Sequence, residues 1–447
     1  MSKHISSANE QFTKLQAFRQ AVYEGLGDAR DVQFELTDAV LLMPAVNSYV
    51  ELSLAPVFRR RWPSVYEAIE DGRPNRQALL KLYVTQLPRR SRPILAGDHT
   101  AWPRLSAHTL RDRTFEHHPT KIRGNKPVTI GLGFSTLAWV PESQGSWALP
   151  LLHERISSQQ TPVEKAIEQL RQVCLVLPMR PITLWDSEYG CAPFVNGSAD
   201  IGADKIIRLR PNICLWGPPP PYSGKGRPPT HGGKFKLKDS ATWGPPAETL
   251  EVNDPHLGRV CLSLWRDLHF RKAARHPMFV LRIERPDAPG TRRDPKELWV
   301  AWLGEDPPTL AEWWPLYLRR FAVDHWYRFA KQRLHWTLPR FGTPEQAERW
   351  SDLMPLITWE LWLARQMVAD NPLPWQKPQT SLTPGRVCQG MAGVLAAIGT
   401  PAQEPKRRGK SPGWPKGRSR QPRERYSVVK KDSKSRKQAR KRQKKAA

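Results

Sequence analysis

The chain has 447 residues, and its 70 Lys and Arg against 42 Asp and Glu give a formal net charge of +28 and a pI near 10.2. That length implies two or three domains with a real core, and that charge implies a polyanionic partner, nucleic acid ahead of an anionic membrane surface. No run of about 18 apolar residues could span a bilayer, and "MSKHISSANEQFTK" lacks the apolar stretch of a signal peptide, so a cytoplasmic, nucleoid-associated protein with no membrane partner is expected. Cys174, Cys191, Cys214, Cys261 and Cys388 are scattered without a CxxC pair, which argues against a disulfide framework and a structural zinc site.

Residues 1–90 read as helices with basic faces. "ANEQFTKLQAFRQAVYEGL" and "NRQALLKLYVTQLPRR" carry apolar residues at helical spacing, the second with Asn75 as its N-cap. Between them Arg59, Arg60 and Arg61 stand beside Trp62, which makes this segment a candidate DNA-binding domain, with a solvated helical bundle as the alternative. From Pro93 the texture changes. "RPILAGDHT", "KPVTIGLGFSTLAWV" and "GSWALPLLHERI" read as strands. "TPVEKAIEQLRQVCLVL" reads as a helix capped by Thr161 with Glu164 three residues on, and "RPITLWDSEYG" and "KIIRLR" as two further strands. Residues 91–210 therefore suggest a mixed sheet with helices packed on it, an α/β fold.

Residues 211–308 open with a Pro- and Gly-rich loop, "GPPPPYSGKGRPPTHGGKFKLK", and continue with three strand-like runs read as an inserted sheet. A long helix is expected from about Thr309 and another from Thr343, so that 309–400 is helical. Residues 401–447 are so dense in Lys and Arg that a disordered tail gripping phosphates without sequence preference is expected, a merely solubilising tail being the alternative.

Two acids end strand-like runs, Asp98 in "GDHT" and Asp186 in "LWDSEYG". On neighbouring strands they would form the crowded carboxylate pair that a hard cation such as Mg²⁺ requires, since such a pair repels itself unless neutralised. Surface Asp residues after strands are also ordinary turn formers. The stretch "YLRRFAVDHWYRFAKQRL" adds a third acid. At about 100° per residue, Tyr317, Arg320, Asp324 and Lys331 fall on one stripe, with Arg328 close by. Asp324 would complete a metal site, Arg320 and Lys331 would neutralise phosphates, and Tyr317 would pack on sugar or donate to phosphate. The bland alternative is a solvated face with an Arg320–Asp324 pair.

The spacing Tyr-x2-Arg-x3-acid-x6-Lys resembles the Tyr-Arg-Glu-Lys signature of bacterial insertion-sequence transposases. The resemblance runs from about Pro93 to Leu334, with the first two acids in matching strand contexts and a β-rich insertion before the third. It implies an RNase H-like core and an acid triad of Asp98, Asp186 and Asp324 holding two Mg²⁺ ions, which Mn²⁺ can replace. Asp98 would bridge the ions, which activate a water or a DNA 3′-hydroxyl and stabilise the leaving oxygen. It implies double-stranded DNA partners, namely transposon terminal inverted repeats and target DNA, bound by a homodimer on paired ends. The family has Glu where this chain has Asp324, one methylene shorter. Glu188 is a further candidate near the metals, and His99 and Arg104 are candidate DNA contacts. In this subgroup an aromatic of the insertion stacks on a flipped base, a role open to Trp265, Trp299 or Trp302. Two other readings stay open: an RNase H-like nuclease or inactive domesticated derivative, and a basic DNA-binding protein without catalysis.

Overall fold

A computed structural model provides the structure and describes residues 2–117, 127–224, 226–254, 257–291, 294–406, 413, 415–417, 419 and 421–431. Four helices come first: α1 (Ser2–Gly25), α2 (Arg30–Leu42), α3 (Pro63–Asp71) and α4 (Arg76–Thr85). Asn75 caps α4, its side-chain oxygen accepting the Ala78 N–H at 3.1 Å, which satisfies one of the amides that a helix start leaves without a partner. Next come β1 (Ile94–Pro103), β2 (Thr114–His117), β3 (Val128–Trp139), β4 (Leu149–Ile156), α5 (Pro162–Cys174), β5 (Ile182–Trp185), α6 (Ala192–Gly197) and β6 (Asp204–Leu209). Thr161 and Glu164 close a reciprocal capping box at the start of α5. The insertion contributes β7 (Cys214–Trp216), β8 (Lys234–Lys236), β9 (Glu248–Asp254), β10 (Gly258–Leu268), β11 (Met278–Glu284) and β12 (Glu297–Leu303). The chain then enters α7 (Leu310–Leu318), α8 (Phe321–Gln332), α9 (Pro344–Ala364) and α10 (Pro384–Ile398).

Among the described residues ten strands make one sheet in the order β2-β3-β1-β5-β6-β12-β11-β10-β9, with β4 also paired to β3. β4, β3 and β1 are antiparallel neighbours, whereas β1, β5 and β6 run parallel. This mixed α/β sheet flanked by helices is consistent with an RNase H-like core. α9 is buried along nearly its whole length, packed between β4 and the helices α1 and α10. No described helix is long and apolar enough to cross a membrane.

Four features differ from the reading of the sequence. The strands of the insertion do not form a sheet of their own: β12 pairs antiparallel with β6 from Trp299↔Leu209 to Leu303↔Lys205, so the insertion extends the core sheet and covers an edge that would otherwise present unpaired backbone. β1 does not stop at Asp98 but stays paired with β3 as far as Pro103. The long helix from Thr309 is two helices, because Arg320, Ala322 and Val323 bond back three residues rather than four, to Tyr317, Arg319 and Arg320. Such a tightened turn is of the 3₁₀ kind, in which side chains at i and i+3 eclipse.

The fourth difference lies in the tail, where residues 407–412, 414, 418, 420 and 432–447 fall outside the described residues. Within it, residues 426–431 are docked rather than disordered. Tyr426 N–H donates to the His108 carbonyl at 2.8 Å and Val429 N–H to the Arg113 carbonyl at 2.7 Å. Val429 forms a parallel bridge with Thr114 on β2, and Lys431 pairs with Glu116 at 3.2 Å.

The helical N-terminal segment is bound to α9 by a buried charge cluster. Arg19 donates two 2.9 Å bonds to Asp38 and also pairs with Glu360 on α9, so a single guanidinium faces two carboxylates with little solvent. Burial pushes the Glu360 carboxyl up to about 7, against the pull of Arg19. A raised folded-state value favours the folded state below the ordinary value of 4.5, and that contribution is lost as pH rises to about 7. Glu360→Gln removes the titration. The stability of the variant relative to wild type should therefore rise between pH 4.5 and about 7, by at most about 3 kcal/mol, read from urea midpoints at several pH values.

Candidate active site

Asp98 and Asp186 are brought together by the parallel pairing of β1 and β5. The last pair in register is Gly97↔Trp185, and the two acids are the next residue on each strand. Gly97 is required by this arrangement, since a Cβ there would lie 2.0 Å from the Trp185 indole. Asp186 thus follows the end of its strand as expected. Asp98 lies within β1, at the point where pairing to β5 stops and pairing to β3 continues.

Arg320 joins the acids. It lies in the tightened turn between α7 and α8, and its side chain is 5% exposed. Its Nη1 donates to Asp98 Oδ2 at 3.3 Å and its Nη2 to Asp324 Oδ2 at 3.2 Å. Burial opposes its charge, yet Tyr317, Asp98, Asp324 and Asp186 hold it protonated more firmly than an ordinary arginine. Asp324, in the first turn of α8, is 44% exposed. Asp186 Oδ1 is buried without a hydrogen-bond partner, with Arg208 3.9 Å away. Burial pushes the Asp98 carboxyl up to about 6; Arg320 and His99 oppose this, and Asp324 and Asp186 add to it.

The structure places the remaining residues singled out from the sequence as follows. Tyr317 is fully buried beside Arg320, and burial pushes its phenol up. Lys331 Nζ donates to Thr100 Oγ1 on β1 at 2.7 Å, and burial lowers its pKa to about 8 while Asp98 works the other way. Arg328 is exposed on α8 and lines a separate cleft against α10. Glu188 is paired with Arg210, and Arg104 donates to the carbonyls of Pro339 and Phe341 at 2.9 and 3.0 Å. Arg59 and Arg60 both bind Glu35 and the carbonyls of the chain at 402–403, whereas Arg61 is exposed. Trp265, Trp299 and Trp302 are buried. Trp265 and Trp299 pack together with Trp243 and Phe235, and Trp302 packs on Trp313, so none of the three offers a free ring face.

Reasoning from sequence missed a buried relay behind Asp98. The Tyr327 hydroxyl lies 2.9 Å from the Asp98 carbonyl and 2.8 Å from Thr136 Oγ1, which lies 2.8 Å from His153 Nδ1. A carbonyl only accepts, so Tyr327 donates to Asp98, Thr136 donates to Tyr327, and His153 donates to Thr136 through Nδ1–H. Burial keeps His153 neutral by lowering its pKa to about 3, and its buried Nε2 has no partner. The only signal in the sequence was Tyr327 itself, three residues after Asp324. Tyr327→Phe strips the donor from a buried carbonyl and should cost about 1–3 kcal/mol of unfolding free energy, measured by urea denaturation, with faster amide exchange along β1.

As they stand, no three His, Cys, Asp or Glu side chains among the described residues are grouped closely enough to hold a metal ion. The donor chemistry nevertheless fits a hard divalent cation. Asp186 and Asp324 both bear on Asp98, all three bear on the Arg320 guanidinium among them, and Asp186 keeps an unused buried oxygen.

No curated protein matches the chain. The model of the DDE superfamily endonuclease family matches residues 21–267, more than half of the chain, and includes Asp98 and Asp186. With Asp98 and Asp186 each just past the last parallel pair of β1 and β5 and this match covering more than half of the chain, the chain belongs to the DDE superfamily endonuclease family.

Proposed function

We propose that the chain is a DNA transposase that cleaves transposon ends and transfers the freed 3′-hydroxyl strands to target DNA. The observation that carries this reading is the convergence of Asp98, Asp186 and Asp324 around the buried Arg320. Arg320 and Asp98 are largely withdrawn from water, and charges buried without function are costly, so packing alone explains this face poorly.

Asp98, Asp186 and Asp324 would hold Mg²⁺, or Mn²⁺ in its place, which supplies activation of a water or 3′-hydroxyl and stabilisation of the leaving oxygen. The chain's own residues do the rest. Arg320 carries a firm positive charge to the scissile region and can exchange carboxylate oxygens for phosphate oxygens. Lys331 on Thr100 supplies a second cation on the same side. Tyr317 closes the base of the site against solvent. Terminal inverted repeats and target DNA are the substrates of this reading, bound by a homodimer that brings two ends together.

One observation favours a second reading, a derivative that binds DNA without cutting it. Arg320 already neutralises two of the three acids, and Asp324 is a methylene shorter than the Glu of the resembling signature. The test is cleavage of a labelled DNA fragment spanning the native borders of the coding region, in Mg²⁺. Wild type should cut at fixed border positions, and Asp186→Asn should cut nowhere while binding the fragment equally well. If wild type binds but does not cut, and Asp324→Glu restores cutting, the chain is an impaired transposase. If neither cuts, the transposase reading is abandoned.

A further inference from the structure

Among the described residues the most exposed tryptophan is unlike the others. Trp375 is 79% exposed at the tip of the turn Leu373-Pro374-Trp375-Gln376, which is closed twice. Gln376 N–H donates to the Leu373 carbonyl at 2.8 Å, and the Gln376 side-chain oxygen accepts the Leu373 N–H at 3.1 Å. The base of the loop is pinned as well. Asp370 accepts the Gln379 N–H at 2.7 Å and Arg386 Nη1 at 3.1 Å, and Arg386 Nη2 donates to the Lys377 carbonyl at 2.9 Å. Pro372, Pro374 and Pro378 restrict the backbone further. The chain thus spends ordered structure on holding an indole out in water, and Leu373 beside it is also exposed.

A single exposed apolar side chain needs no explanation, so the surroundings decide. Arg386 ties this loop to the first turn of α10, and that turn forms one wall of a cleft of about 300 Å³. Thr383, just before α10, and Gly385 within it line one side, and His325, Arg328, Phe329 and Gln332 line the other from α8, the helix that carries Asp324. Arg328 and His325 are exposed there, Lys377 is exposed on the loop, and the positive end of α10 points the same way. Trp62, also strongly exposed among the described residues, follows the exposed Arg61 but begins α3, which carries Glu67, Glu70 and Asp71. Leu175 is a lone aliphatic at a helix end. Trp375 combines a free ring, a rigid mount and adjoining cations with no acidic helix beside it, a combination that binds an unpaired nucleic acid strand through base stacking and phosphate neutralisation.

We propose that Trp375 is a stacking platform for an unpaired base of DNA whose phosphates lie along the α8–α10 cleft. This inference rests on the reading of DNA as the substrate and adds a surface outside the acid cluster. It is tested with the full-length chain and two fluorescein-labelled probes, an oligothymidylate and a fully paired duplex, comparing wild type, Trp375→Ala, Trp375→Phe and Arg328→Ala.

Trp375→Ala should weaken oligothymidylate binding by about tenfold, and Trp375→Phe should recover most of it, because any aromatic face can stack. The melting temperature of Trp375→Ala should be unchanged, since the ring supports no packing. Arg328→Ala should instead flatten the salt dependence of binding. Equal oligothymidylate affinity of Trp375→Ala and wild type overturns the inference. So does a loss in Trp375→Ala that Phe leaves uncorrected, or a wild-type dimer that Trp375→Ala dissociates without change in DNA affinity, which reassigns the turn to self-association. Wild type that binds neither probe defeats the DNA reading itself. Wild type that binds and cuts DNA while Trp375→Ala matches it defeats only the stacking inference.

Discussion

Carboxylates gathered at one end of a sheet repel one another unless positive charge lies among them, and here that charge is Arg320. Its guanidinium bonds Asp98 on a central strand and Asp324 on a helix more than two hundred residues later, so it ties the first and last parts of the core at the point where they must meet. A planar fork with several donors suits this task better than an ammonium, because it can face two acids at once. The tightened turn between α7 and α8 places it there, stacking Arg320 over Tyr317 where a regular helix would have splayed them.

Around that centre the structure is over-determined. Trp185 closes on Gly97 with no room for a side chain, the Tyr327–Thr136–His153 relay fixes the backbone of Asp98 from behind, and Lys331 holds Thr100 two residues on. The relay runs in one direction only because its last acceptor is a carbonyl. Its histidine is neutral and its tyrosine is buried, so no member changes charge near neutrality. The sheet that carries the acids is also the sheet that the insertion extends through β12, so the insertion is joined to the site by a continuous ladder of backbone bonds rather than by a linker.

Features encoded locally were legible in the sequence. Asn75, Thr161 and Thr343 cap their helices as their spacing implies, because a cap involves only the next three residues. The mixed α/β sheet, and the acid that follows β5, could be read from apolar runs. The convergence of Tyr317, Arg320 and Asp324 was also legible, although through a helical geometry that the structure alters. Pairings between distant segments were not. Nothing near Arg59 and Arg60 announces that both pair with Glu35 and bond the chain at 402–403, ties that the basic triplet alone does not reveal. The continuation of β1 past Asp98, the union of the insertion with β6 and the bridge from Val429 to Thr114 all depend on partners tens to hundreds of residues away. Composition alone marks residues 426–431 as tail, because a strand of low apolar content can still dock when an edge supplies half of its hydrogen bonds.

That docked segment has a consequence for the sheet as a solid object. The segment carrying Val429 lies along the β2 side and covers backbone that would otherwise be free to recruit another strand, while the far side ends in the exposed β9. The two borders of the sheet are therefore unequal: β2 carries a bridge to residues 426–431, whereas β9 carries the charges of Glu248, Glu251 and Asp254. Without residues 426–431 the carbonyls of His108 and Arg113 and the bridge at Thr114 would lose these partners. A few residues that composition marks as dispensable thus stand where a further strand could otherwise pair with β2.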